Sequence, residues 1–393
     1  MHVCYSIFVH FFYFVVHINA IFNKKIKKWI AGQKNWKNNL VQDLTKSDDY
    51  CWIHCASAGE FEQAIPLIQG IRNQKTRIRI AVSFFSPSGF EMYQDSGLAD
   101  VFFYFPLDTR QNAENLIKIL NPVFSIFIRN EIWWNTLTVL KEKNIPAYLV
   151  NANLNQKRNI IYKKYLDKTY PLFTKIFDTQ TFGNTKLDKV IENKNIVFND
   201  RILEDFCKDG FVVIFGSSWE AEEKIALDFY KKNKTRISNL KIIIAPHEFN
   251  ETKKPALENL FQEEIMSYSS YSKQNTPCAV LLLDKKGILK YVYRYANIAV
   301  IGGGFGKSVH NISEAAVYSL PTIFGPNFSK FEDAKELVNL KVAFPVNDYM
   351  EFENKLIQLI NDAELRTAIS QKLNMYFSQQ ENATAKIISE ILK

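Results

Sequence analysis

Apolar positions along the chain fall into two recurring patterns: short β-branched or aromatic runs, and longer stretches in which apolar residues return every three or four positions. Tyr50–Cys55 is a run of the first kind, and after it Phe61, Ala64, Ile65, Leu67, Ile68 and Ile71 recur with helical period. Further strand runs lie at Arg77–Ser83, Val101–Phe105, Phe124–Ile128, Ala147–Asn151 and Ile176–Thr181. A second series lies at Phe211–Phe215, Leu240–Ala245, Ala279–Leu283, Ala299–Ile301 and Pro321–Phe324, with helical patterns between them and over the remainder. Strand alternating with helix predicts parallel sheets covered on both faces. A chain of 393 residues is long enough for two such domains, and the polar stretch 191–209 is the candidate linker.

Val3–Phe22 breaks the alternation, being apolar and aromatic except for Ser6, His10, His17 and Asn19, and Lys24, Lys25, Lys27 and Lys28 follow it directly. About 20 residues at 1.5 Å each match a hydrocarbon core of ~30 Å, which predicts a membrane-anchor helix over residues 1–28. The lysines place the rest of the chain on the cytoplasmic side. A buried first helix is the alternative. Asn155–Lys175 is basic and interleaved with tyrosines, the pattern of a solvated helix face or of a surface that meets lipid phosphates.

Chemistry-bearing residues cluster where strand runs end, the position at which open α/β sheets bind ligands. Ile301 is followed by Gly302, Gly303, Gly304, Phe305, Gly306 and Lys307, and a helical pattern begins at about His310 to Ser313 and carries Glu314. Backbone N–H groups and a helix N-terminus there predict a phosphate cradle, against the alternative that the glycines serve close packing. A Walker A loop needs four residues before its Gly-Lys-Ser where this chain has three, and the dinucleotide fingerprint needs glycine where Lys307 stands. Ser57 and Glu60 follow the first strand run, Ser86 the second and Glu131 the fourth, while Ser217 and His247 follow runs of the second series. Each glutamate is either a ligand-facing group or a carboxylate complementing a helix dipole.

The formal net charge of +8 suits an anionic membrane surface or an acidic substrate. It does not indicate nucleic acid, because no arginine-rich run interleaves with aromatics. Five scattered cysteines and six histidines show no zinc spacing, so neither a metal nor another cofactor is expected. No Asp-x-Asp occurs, which argues against metal-dependent glycosyltransferases of the GT-A class.

Gly-Gly-Gly-Phe-Gly-Lys followed by His310-Asn311-x-x-Glu314 and Gly325-Pro326 resembles the donor-site signature of bacterial 3-deoxy-D-manno-octulosonic acid (Kdo) transferases, especially their Bacteroidetes-like form. His54 to Glu60 is similar to the Ser-x-Gly-Glu motif of that family, Arg129 to Trp133 to its Glu-x-Glu-Leu-Trp, Gly183 to Val190 to its Gly-Asp-Thr-Arg-Phe-Asp-Arg-Val, and Gly216 to Glu223 to its Gly-Ser-Thr-Trp-x-x-Glu-Glu. Arg129 and Asn153 depart from the pattern, and against that pattern the chain lacks a helix and loop of the first domain before Gly183. The resemblance implies a GT-B fold, two Rossmann-like domains facing a cleft, with an N-terminal anchor. It implies an acceptor-side domain over 29–195, a donor domain over 205–375 and a C-terminal helix, 376–393, returning to the first domain. The implied activity is inverting, metal-independent transfer of Kdo from CMP-Kdo to a lipid A precursor at the cytoplasmic side of the inner membrane, in lipopolysaccharide synthesis. Glu60 would be the catalytic base, with Glu131, Ser57 and Ser86 on the acceptor side. The donor would be bound by Gly302, Gly303, Gly304, Lys307, His310, Asn311, Ser313, Glu314, Ser217 and His247, with Lys186 nearby. Another GT-B sugar-nucleotide enzyme, such as a UDP-sugar epimerase, and an inactive membrane-tethered scaffold are the rival readings.

Overall fold

A computed structural model of the chain describes residues 1–21, 23–45, 48–74, 77–154, 158–249, 253–271 and 278–393. Phe22 at the end of the expected anchor and Asn155, Gln156 and Lys157 at the start of the basic stretch lie outside the described residues. The chain divides into two compact units, Met1–Lys189 with Glu381–Lys393, and Val190–Gln380.

The first unit is built on a six-stranded parallel sheet of β1 (Tyr50–Cys55), β2 (Arg79–Phe84), β3 (Val101–Tyr104), β4 (Phe124–Ile128), β5 (Ala147–Ala152) and β6 (Lys175–Asp178), in the order β3-β2-β1-β4-β5-β6. β1 and β4 are buried along their whole length, as apolar runs covered on both faces must be. The chain order reverses between β1 and β4, so the residues that follow these two strands flank the switch point where such sheets bind ligands. One face of the sheet is covered by Phe61, Ile65 and Ile68 together with Ile387 and Ile388, and the other by Trp36, Leu40, Phe105 and Leu137. The helix Ala383–Ile391 is held to this unit by Asp188, whose carboxylate accepts from the Thr384 N–H at 2.7 Å and the Thr384 hydroxyl at 2.6 Å.

Two helices precede β1, α1 (His2–Asn19) and α2 (Lys24–Asp43). The residue-28 limit of the expected anchor therefore falls inside α2, which continues into the first domain and buries Trp29, Trp36 and Leu40. α1 docks through one stripe: Val9 packs with Trp29 and Leu107, and the Tyr5 hydroxyl donates to Asp108 at 2.7 Å. Phe8, Phe11, Phe14 and Ile18 stay exposed. By length and hydropathy it is one helix able to cross a membrane among the described residues.

The second unit carries β7 (Phe211–Ser218), β8 (Leu240–Pro246), β9 (Ile265–Ser267), β10 (Val280–Leu282), β11 (Ile298–Ile301), β12 (Thr322–Phe324) and β13 (Ala343–Pro345), all parallel in the order β13-β12-β11-β7-β8-β10-β9. Its switch point lies between β7 and β11. β9 and β13 were not expected; three residues each is too short for a period to show. The stretch expected to be a linker is structured, with a helix over Arg201–Cys207 capped by Asp200 and with Tyr268 donating to that aspartate at 2.6 Å.

Candidate active site

In the first unit the chain turns sharply after β1 into α3 (Ala58–Asn73), and Glu60 lies in the first turn of that helix. Its Oε2 accepts from the N–H groups of Ala56 at 2.6 Å and Ser57 at 3.2 Å. Ser57 is the N-cap of α3, and the Ser86 N–H donates to Ala56 O at 2.8 Å, which brings the turn after β2 against it. Burial first, and the charge of Glu131 second, push the Glu60 carboxyl up to about 7, against the two N–H bonds and the charge of Arg129. Glu131, after β4, is bound at Oε2 by His54 Nε2 at 3.1 Å and by the Trp133 indole N–H at 2.9 Å. Three residues expected on the acceptor side therefore line one switch point with the expected base. Arg129, a departure from the family motif, holds a φ of 64° there and supplies the opposing charge. Lys186, expected near the donor, is the second residue of the helix Thr185–Asn195 in the first unit, whereas the other expected donor residues belong to the second.

The glycine turn after β11 is built differently from the expected N–H cradle. Gly302 extends the ladder, its N–H donating to Gly216 O at 2.9 Å. The Gly303 N–H donates to Glu222 Oε1 at 2.9 Å, so a carboxylate of the protein occupies that donor. A Cβ on Gly302 would lie 2.0 Å from Ser217 O and one on Gly304 2.6 Å from Gly325 N, while Gly303 holds a φ of 86°. Close packing and a left-handed turn therefore account for these glycines. The helix after the turn is a single turn, Ser313–Ala316, too short for a substantial dipole, and the chain leaves it through Ser319 in a left-handed conformation. Ser313 is fully buried and gives its hydroxyl to Asp333 at 2.8 Å, which removes it from the list of phosphate ligands.

Other residues of the second unit do converge. His310 and His247 stack with ring centroids 4.0 Å apart, and Trp219 donates its indole N–H to His310 Nε2 at 2.9 Å. That bond leaves Nδ1 as the nitrogen that carries the proton. Burial, and then His247, hold the His310 ring down to about 4, and burial also lowers His247. Asn311 donates to Glu314 Oε1 at 2.9 Å, and its Oδ1 is buried with no partner among the described residues. Ser217, with a φ of 52°, lets β7 bulge against Gly302, and Lys307 lies exposed on the turn. His54, Trp133, Trp219 and Glu222 were not singled out from sequence. A histidine inside a strand buried along its whole length was the available signal for His54, whereas Glu222 reads as a helix cap.

Residues 33–189 match the family model described as 3-Deoxy-D-manno-octulosonic-acid transferase (kdotransferase). The first domain is thus similar to the Kdo transferase family along most of its length. Relatives extend the likeness over the chain: a 3-deoxy-D-manno-octulosonic acid transferase of Aquifex aeolicus is 27% identical over 317 residues, 79% of this chain and 86% of the relative. A bifunctional glycosyltransferase/methyltransferase of Fusobacterium nucleatum is 26% identical over 89% of this chain, which spans only 58% of that longer protein. In fold the transferase is similar to MurG of Acinetobacter baumannii, with a TM-score of 0.56 at 11% identity over 88% of this chain and 99% of that one. UDP-GlcNAc 2-epimerase from Neisseria meningitidis gives a TM-score of 0.57 at 15% identity over 88% and 99%. The transferase thus has two Rossmann-like domains of the kind found in GT-B enzymes, and it is a glycosyltransferase. Among its described residues no group of three His, Cys, Asp or Glu side chains could hold a metal ion.

Proposed function

We propose that the protein transfers Kdo from CMP-Kdo to a hydroxyl of a lipid A precursor, with inversion, without a metal, at the cytoplasmic face of the inner membrane. The observation that carries this reading is Glu60, held at about 7 beside Glu131 inside the span that matches the Kdo transferase model. A carboxylate with that proton affinity is matched to taking a proton from an alcohol at neutral pH. As the acceptor oxygen bonds to the anomeric carbon of Kdo, its proton passes to Glu60. The bond from that carbon to the phosphate breaks, and its electron pair leaves on CMP. Positive charge on the sugar in the transition state is offset by the ionised carboxylates.

With the Gly303 N–H occupied, we assign the leaving phosphate to Lys307 and the Nδ1–H of His310, backed by His247 and Trp219. Asn311 Oδ1, a buried acceptor in need of a donor, would take an N–H or O–H of the nucleotide. The exposed apolar face of α1 and the basic helix Ile160–Thr169 support a membrane-borne acceptor. The test is incubation with CMP-Kdo and a lipid A precursor: the product should gain the mass of Kdo with release of CMP. The likeness to an epimerase in fold makes UDP-GlcNAc the control, and its conversion to an epimer in place of Kdo transfer would overturn this reading.

A further inference from the structure

His54 lies in β1 with no exposed surface, a polar ring in a strand otherwise made of apolar side chains. Its Nδ1 is 2.8 Å from Ser83 Oγ, and the same oxygen accepts the Trp52 indole N–H at 2.8 Å. Having accepted that proton, the serine has its own O–H to give to Nδ1, which leaves Nε2 as the ring's donor. Nε2 is aimed at Glu131 Oε2, 3.1 Å away. The Trp133 indole N–H lies 3.0 Å from Nε2 and 2.9 Å from that same oxygen; with Nε2 donating, it goes to the carboxylate. Phe105, 4.3 Å from the ring centroid, closes the pocket on one side. Two side chains, His54 of β1 and Trp133 of the turn after β4, thus end on one oxygen of Glu131, and Trp52 and Ser83 orient the first of them through Ser83 Oγ.

We propose that His54 is a positioning residue of the transferase: it hands an N–H to Glu131 and fixes that negative charge beside Glu60. Donors at an oxygen favour the ionised carboxylate, and a like charge nearby makes the neighbouring carboxyl harder to ionise. The groups that face Glu60 are Glu131 and Arg129 from the turn after β4 and the Cys55 thiol from β1. Arg129 and the backbone donors pull Glu60 down, so Glu131 is the charge that offsets them. The inference rests on the reading of Glu60 as the base, but its test does not need turnover.

Carbon-13 spectra of the full-length protein in detergent, labelled at the glutamate carboxyls and assigned with Glu60→Gln, follow the Glu60 titration directly. In the unaltered protein its midpoint should lie near neutral pH. His54→Leu should move it down by at least about one unit, and His54→Gln, whose amide nitrogen reaches the position of Nε2, should restore it. Glu131→Gln should move it in the same direction, and the double variant with His54→Leu no further. If His54→Leu does not fold, Ser83→Ala, which removes the O–H that sets the ring's tautomer, must lower the midpoint as well. An unmoved midpoint in a folded His54→Leu or Ser83→Ala variant reduces His54 to packing and overturns the proposal. A Glu60 midpoint that moves as expected while the pH–rate profile ignores it would instead sink Glu60 as the base and leave the role of His54 standing.

Discussion

Glu222 accepts the backbone N–H of Gly303 at 2.9 Å, so the anion seated in the glycine turn after β11 is the protein's own. Its other oxygen accepts the Trp219 N–H at 3.0 Å, and Trp219 in turn holds His310, so one buried carboxylate organises both the turn and the histidine pair. Burial pushes its proton affinity up, and the N–H bonds from Trp219, Gly303 and Phe305 act the other way.

Glu222→Ala orphans buried donors that cost ~1–3 kcal/mol apiece, so the second domain should lose about that much stability. Calorimetry should show the loss, and the stabilisation by excess CMP, ~2.7 kcal/mol at a hundredfold its dissociation constant, should shrink with it. Glu222→Gln keeps one acceptor and should fall between. A turn that depends on N–H groups left open for phosphate would predict the reverse, with more room for the nucleotide in the alanine variant.

Gly302→Ala places a Cβ 2.0 Å from Ser217 O, a backbone atom that cannot move without disturbing β7. Overpacking of this kind costs ~1–3 kcal/mol. The melting temperature should drop even without nucleotide, and a variant that melts normally yet fails to bind CMP would return the glycine to a ligand role.

Glu60→Gln separates base from helix cap. Removing a positioned base lowers turnover by ~10²–10⁴. Stability should move the other way. The folded carboxyl titrates at about 7, above its ordinary 4.5, so the folded state binds the extra proton between those values and stability falls as pH rises through that window. Glutamine removes the penalty, so the variant should melt higher than the unaltered protein at pH 8 and show no advantage at pH 4. A cap role alone would give a lower melting temperature at pH 8 with turnover intact.

His310 titrates at about 4, below the ordinary 6.5. The unfolded chain therefore binds more protons between these values, and stability should fall as pH drops from 6.5 toward 4. Melting curves of His310→Gln across that range should lose this part of the slope. Trp219→Phe, which deletes the indole donor but keeps the stacked ring, should weaken protection by CMP.

The docking of α1 and its contact with lipid can be told apart. Tyr5→Phe removes one donor from the buried Asp108, which keeps those of Asn135 and Thr136, and should cost about 1–2 kcal/mol without changing flotation with anionic vesicles. Phe8→Glu with Phe11→Glu on the exposed face should abolish flotation with little change in melting.

The linear pattern by itself determined the alternation of strand and helix, and with it the parallel sheets, because a strand buried on both faces must be apolar along its length and a helix must repeat every three or four residues. Eleven strands were legible this way, and so was the placing of Glu60, Glu131 and the glycine turn at strand ends. What a group touches was not legible. Whether Glu60 complements a dipole or stands beside a second carboxylate depends on β1 pairing with β4, which are separated by two strands in the chain. Gly303 looks the same in sequence whether its N–H meets a phosphate or Glu222, and Ser313 whether it faces a ligand or Asp333. The strands β9 and β13 and the helix inside the expected linker were also decided by packing, since segments so short take their conformation from the neighbours they join. Local spacing carries the periodicity of one element; proton affinity, hydrogen-bond partners and close backbone approach come from residues distant in the chain, and only the folded domains bring those together.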